Sequence, residues 1–106
     1  MTEAIGVPEE VRSRVEATVR SVVDDAMVLA YALGVSADPN ALARRIGADA
    51  VLEVFRSAQV EEVAQVASHL RSAFRDDEKR RELEAVRGEA GPELRVFVAL
   101  WAAPEA

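Results

Sequence analysis

Apolar residues in the first third of the chain recur at spacings of three and four, which is the period of an α-helix. The stripe consists of Val11, Val15, Val19, Val22, Ala26, Leu29 and Leu33. Pro8 suits the first position of a helix, and Gly34 suits a left-handed residue just beyond its end. The pattern therefore predicts one long helix over residues 8–33. Its second half, residues 26–33, is apolar on every side and needs covering by other parts of the protein.

Three shorter helices are predicted in the middle of the chain. Asp38 followed by Pro39 is a strong helix start, and Gly47 can end that helix after residue 46. A further short helix is expected over residues 49–55. Ser57 is the predicted cap of the next helix, whose buried stripe again has helical spacing. That stripe consists of Val60, Val63, Ala67, Leu70 and Phe74.

The last third of the chain is more ambiguous. Residues 76–87 are highly charged, with opposite charges four residues apart, as on a solvated helix. Residues 92–103 contain the run Val96-Phe97-Val98, which has β-propensity. They also open with Pro92 and Glu93, as helices do. Because no other segment is expected to be a strand, a lone strand would have no partner, and a final helix is predicted here.

These segments together predict an all-α fold, a compact bundle of five or six helices led by one long N-terminal helix. We expect a single helical domain over residues 1–106. A chain of this length buries about 65% of its unfolded surface, which is enough for one modest core. Half of the residues are hydrophobic, and this composition excludes an intrinsically disordered chain.

Composition also limits the chemistry. The chain has no Cys, which excludes disulfides, thiolate zinc sites and cysteine nucleophiles, and its net charge of -6 disfavours contact with nucleic acid or anionic membranes. The longest apolar run has eight residues, whereas a membrane-spanning helix needs about 20. No signal peptide is evident, and we expect a cytoplasmic protein. Twelve of the 13 basic residues are Arg, which indicates a bacterial source with a GC-rich genome.

The absence of recognisable site motifs favours a non-catalytic function. There is no Gly-rich phosphate loop, no nucleophile elbow and no paired-His metal motif, so neither a cofactor nor a metal is expected. The two segments that are apolar on every side point to a helical protein-interaction module, a small adaptor or regulator whose first partner is a second copy of itself. The candidate interface of this homodimer consists of Met27, Val28, Tyr31 and Trp101.

Two alternatives of other classes stay open. The turn at Gly47 is similar to that of a helix-turn-helix, so a nucleic-acid regulator would use Arg44, Arg45 and Arg56. Yet the second helix of that motif would present mainly apolar side chains, and binding to nucleic acid is not expected. A ligand binder or enzyme would instead need a pocket between the apolar helices, near Asp24, Asp25 and Tyr31.

One further group of basic residues is a candidate contact. Arg71, Arg75 and Lys79 lie along one face of a continuous helix and would suit an anion or an acidic partner. Acidic residues are interleaved with them, and a solvated, ion-paired helix face explains the same pattern.

Overall fold

The computed structural model describes residues 7–81 and 93–102. It shows an α/β fold, so the predicted all-α bundle is wrong. Three helices and four strands occur in these residues: α1 Glu9–Val23, β1 Val28–Ser36, α2 Pro39–Ile46, β2 Ala50–Ser57, α3 Val60–Ala73, β3 Arg80–Arg81 and β4 Leu94–Ala102.

The four strands form one mixed sheet in the order β2-β4-β1-β3. β4 lies between β1 and β2 and is antiparallel to both, whereas β3 pairs with β1 in parallel orientation. β2 and β3 are therefore the two edges of the described sheet, and the most apolar strands lie at its centre.

The predicted first helix is too long. α1 ends at Val23 with Asp24 as its C-cap, and the Asp25 carboxylate then accepts a hydrogen bond from the backbone N–H of Met27 at 2.8 Å. This turn reverses the chain into β1. The strand is buried on both faces apart from Leu29 and, in part, Val35. A strand covered on both faces is a continuous apolar run, and such a run also fits a buried helix.

The predicted helices over residues 49–55 and 92–103 are also wrong. The first segment lies in β2, and the second contains the central strand β4, in which Val96–Ala99 are fully buried. The two segments that are apolar on every side do meet, as neighbouring antiparallel strands with Ala30 opposite Trp101. They cover each other within one chain.

Two of the predicted helices are confirmed. α2 spans Pro39–Ile46, with the Asp38 carboxylate accepting a hydrogen bond from the backbone N–H of Ala41 at 3.2 Å, and with Gly47 in the left-handed region at φ 75°. α3 buries the expected stripe, except that its first residue, Val60, is 61% exposed. Its N-cap is Gln59 and not the predicted Ser57. The Ser57 hydroxyl instead accepts a hydrogen bond from the backbone N–H of Gln59.

The helices cover the two faces of the sheet unequally. α1 and α3 pack on one face, where they form the larger core with Tyr31, Leu33, Val96 and Val98. The short helix α2 covers the other face, where Leu42 contacts Phe97 and Ala99 in a much smaller core. We refer to these as the α1/α3 face and the α2 face.

Two further sequence predictions concern the outer parts of the molecule. The charged segment at 76–87 is not a helix where it is described, because a turn at residues 76–79 leads into β3, and residues 82–87 lie outside the described residues. Of the helices in the described part of the chain, none has the length and apolar character needed to cross a membrane.

Candidate functional site

The outer side of β2 is the most unusual surface of the sheet. No other described strand pairs with it, and every residue from Val51 to Phe55 is only partly buried. Natural proteins protect edge strands by short length, by charged side chains or Pro, or by β-bulges. β2 has eight residues without Lys or Pro, and its charges and its bulge are confined to residues 53–56. We call the outer side of Ala50–Ser57 the β2 edge.

A β-bulge at Val54 changes the direction of the side chains along β2. Glu53 pairs with Phe97 and Phe55 pairs with the preceding residue of β4, Val96, so Val54 has no partner of its own on β4. As a result Val54 and Phe55 both pack against the core of the α1/α3 face, as does Leu52. An unbroken strand would alternate between the two faces.

Three charged residues form a cluster on the α2 face of β2 and β4, which we call the Glu53 cluster: Glu53, Arg56 and Arg95. Arg95 Nε lies 2.8 Å from Glu53 Oε1, and Arg56 Nη2 lies 2.7 Å from Glu53 Oε2. Arg56 Nε adds a second hydrogen bond to Oε2 at 3.1 Å, and Arg95 also donates to the carbonyl oxygen of Ala37. The hydrogen bonds from Arg56 to Glu53 raise the pKa of the Arg56 guanidinium.

A cleft of about 420 Å³ lies between the Glu53 cluster and the first turn of α2, and its other lining residues are Asp38, Pro39, Asn40 and Val51. The two carboxylates balance the two guanidinium groups, so the cleft does not favour a bare anion. Both oxygens of Glu53 already have an arginine partner, Oε2 through hydrogen bonds from Arg56 and Oε1 through an ion pair with Arg95. The Glu53 cluster is therefore suited to a partner surface that carries charges of both signs.

The structure separates the four candidate interface residues. Met27 is 52% exposed, whereas Val28 is buried and Tyr31 has no exposed surface. Trp101 is half-buried on the α2 face, with the Arg81 guanidinium carbon 4.9 Å from the centroid of its ring. Tyr31 packs on the opposite, α1/α3 face. Only Met27 and Trp101 retain exposed surface, and both lie near the end of the sheet where β1 begins and β4 ends.

Tyr31 holds the turn that leads into β3. Its hydroxyl donates a 2.8 Å hydrogen bond to Asp77 Oδ2, and its ring meets Phe74 edge-on. Burial, followed by the hydrogen bond to Asp77, raises the pKa of Tyr31. The backbone N–H of Lys79, and secondly the Tyr31 hydroxyl, lower the pKa of Asp77. Tyr31 thus stays protonated and donates a hydrogen bond to a carboxylate.

The three residues of the candidate anion contact do not share a helix. Arg71 is exposed in the last turn of α3, and Arg75 follows the helix. Lys79 lies in the turn before β3, where its ammonium group donates to the carbonyl oxygens of Val23 at 3.1 Å and Asp25 at 3.3 Å. The expected row of three cations therefore does not form, and Lys79 instead stabilises the end of α1.

The residues of the two alternative hypotheses are also dispersed. Gly47 joins a helix to strand β2, so the second helix of a helix-turn-helix is not formed. Arg44 and Arg45 are exposed on α2, whereas Arg56 belongs to the Glu53 cluster. Asp24 and Asp25 lie in the turn after α1, whereas Tyr31 is buried in the core of the α1/α3 face.

Sequence reasoning missed Glu53 and Arg95 as site residues. Residues 50–57 include β-branched and aromatic residues, which are frequent in strands. If this segment is read as a strand, the alternation of its side chains identifies Glu53 as a charged residue on one face. Arg95 lies far from Glu53 in sequence and meets it only through the pairing of β2 with β4.

In the described ranges, no group of three or more His, Asp or Glu side chains is placed to hold a metal ion.

Comparison of the chain with protein-family models, with curated proteins and with solved structures found no match in any of the three.

Proposed function

We propose that this protein is a non-catalytic protein-interaction module that associates with a second copy of itself through the β2 edge. The observation that carries the proposal is the combination of length, exposure and composition in β2. Eight residues of strand edge, which no other described strand pairs, carry four large, partly exposed apolar side chains. Such an edge is a ready template for pairing with another strand.

The position of the interface differs from the one that the sequence indicates. Residues 26–33 and 92–103 favoured an interface because they are apolar on every side, but β1 and β4 satisfy that need within the chain. The apolar surface that remains on β2 is the better docking surface. A strand docked there gains backbone hydrogen bonds as well as apolar contact, whereas Met27 offers contact alone.

A second copy is the partner that suits the charges of this edge. Glu53 and Arg56 lie together on the strand, so the β2 edge carries one charge of each sign and complements itself. A strongly acidic or basic partner would be repelled by one of the two.

We also propose a cytoplasmic location, because a chain without Cys suits a reducing compartment.

Analytical ultracentrifugation tests this proposal. At micromolar concentrations the protein should sediment as a species of twice the 11.5 kDa chain mass. Val54→Lys should return it to the monomer, since a charge on an edge strand opposes pairing with another strand. Because Val54 is partly buried against the core of the α1/α3 face, circular dichroism and the urea midpoint must first show that this variant is folded.

Met27→Lys is the matched control, because it introduces the same charge at an exposed apolar side chain at a distance from β2. It should leave the dimer unchanged. A wild-type protein that remains monomeric at 100-fold higher concentrations would contradict the proposed function. Loss of the dimer in Met27→Lys but not in Val54→Lys would move the interface to the start of β1.

A further inference from the structure

The β-bulge gives β2 a pattern of side chains that reads the same in both directions. Glu53 and Arg56 face α2, whereas Val54 and Phe55 between them both face α1 and α3. In an unbroken strand, positions 53 and 56 are three residues apart and would lie on opposite faces. The bulge therefore makes the order of faces along β2 the same in both directions from the point midway between Val54 and Phe55.

When two copies of one strand pair about a two-fold axis, the order of faces along the strand must be the same in both chain directions. In an antiparallel pair, residues directly opposite each other point to the same face of the sheet. An axis midway between Val54 and Phe55 places Val54 of one copy opposite Phe55 of the other, with both side chains on the α1/α3 face. The same axis places Glu53 opposite Arg56, with both side chains on the α2 face.

This inference rests on the proposed function and deepens it by naming the orientation and the contacts of the partner. We propose that two copies pair antiparallel along β2 about this axis, so that Glu53 of each copy binds Arg56 of the other copy. The result is one continuous sheet of eight strands, with the helices of like faces side by side.

The charges support this arrangement. Opposite residues of an antiparallel pair have Cβ atoms about 4.5–5.5 Å apart, which is within reach of a Glu–Arg ion pair. Two copies then place four charges of alternating sign around the axis. Each Glu53 meets an arginine within its own strand, at 2.7 Å, and another across the interface. Arg95 holds Glu53 from the side of β4, at 2.8 Å, and fixes its orientation.

A charge exchange between copies tests the proposal. Arg56→Glu puts two acids on each strand, and Glu53→Arg puts two bases there. Each variant alone should associate about tenfold or more weakly than the wild type, because like charges then oppose each other twice per dimer. An equimolar mixture of the two should recover association as a heterodimer, which native mass spectrometry distinguishes by mass.

Two controls keep the test independent of folding. Arg14→Glu makes the same change of charge at an exposed position on α1 and should not weaken association. If Glu53→Arg fails to fold because Arg95 lies beside it, the comparison of Arg56→Glu with Arg56→Lys decides. Association should be lost with Glu and retained with Lys.

The outcomes separate this inference from the proposed function. If both single variants dimerise as the wild type does, the pairing of Glu53 with Arg56 is wrong although self-association stands. If the mixture remains monomeric while the wild type dimerises and both variants are folded, the antiparallel register is wrong. If the wild type is itself monomeric, the proposed function and this inference both fail.

Discussion

The two edges of the sheet differ in almost every property that governs pairing between chains. In β3 the two described residues are both arginine, and the turn before them is anchored to the core. β2 is eight residues long and largely apolar, and its outer side meets no other described strand. Charged side chains are one of the usual means of protecting an edge, and both described residues of β3 are charged. One edge of this sheet therefore has the form of a closed edge, and the other has the form of an interface.

The closed edge depends on contacts from several elements. Tyr31 and the backbone N–H of Lys79 both donate to the Asp77 carboxylate, and Lys79 donates to carbonyl groups at the end of α1. Arg81 lies over the ring of Trp101. These contacts hold β3 against β1. The Glu53 cluster, by contrast, holds side chains of β2 and β4 in place without covering the outer side of β2.

The largest effect is expected from removing the anchor of the closed edge. Tyr31→Ala empties a fully buried site and removes the hydrogen bond to Asp77. Truncation of large buried side chains typically costs about 3–5 kcal/mol. The urea midpoint should therefore fall sharply. Tyr31→Phe keeps the ring and loses only the hydroxyl, so it should cost about 1 kcal/mol; equal losses in both variants would show that packing of the ring is unimportant.

A smaller, pH-dependent effect is expected at Asp77. Asp77→Ala should cost about 1–3 kcal/mol at neutral pH, because it leaves the buried Tyr31 hydroxyl without its acceptor. Folding lowers the pKa of Asp77 from its usual 3.8. Its contribution is therefore present above that value and is lost as the pH falls through the lower pKa of the folded protein. Urea unfolding across the acid range should show the difference from the wild type narrowing below pH 3.8.

The neighbouring residue provides the control for this prediction. Asp76 is exposed, and Asp76→Ala should leave both the stability and its acid dependence unchanged within a few tenths of a kcal/mol, as is usual at surface sites. A difference between wild type and Asp77→Ala that stays constant at all acid pH values would contradict the role of the ionised carboxylate.

The smallest effect is expected from the contact between Arg81 and Trp101. An exposed cation–π pair contributes about 0.5–1 kcal/mol, so Arg81→Gln should lower stability by no more than that. Trp101 is the only Trp in the chain, and the change should also alter its fluorescence in the folded state. Unchanged emission would show that the guanidinium does not rest on the indole in solution. None of these variants should abolish dimerisation while it is folded, because dimerisation depends on the other edge.

The elements that the sequence predicts correctly are those with strong local signals. Asp38, Pro39 and Gly47 define α2 through a cap, a preset φ and a left-handed residue, all within one short segment. α3 follows from a stripe of apolar residues beside a polar face. In both helices the neighbouring residues alone contain the necessary information.

The strands could not be predicted in this way, because each depends on the others. Residues 28–36 and 94–102 are apolar on both sides, which suits a buried helix as well as a central strand. Val96–Val98 would lack a strand partner only if the residues of β1 and β2 were helical as well. The candidate site is similarly non-local, since the bulge at Val54 and the approach of Arg95 to Glu53 arise from the register of β2 against β4.

Amide hydrogen exchange at two protein concentrations tests the contrast between the edges most directly. One sample should be below the concentration at which the protein dimerises, and the other should be well above it. Exchange of amides in Ala50–Ser57 should slow at the higher concentration, because pairing gives the outward backbone N–H groups hydrogen-bond partners. Exchange at Arg80 and Arg81 should be the same in both samples. Equal exchange along β2 at both concentrations, together with dimer formation or with slowing at β3 instead, would contradict the account.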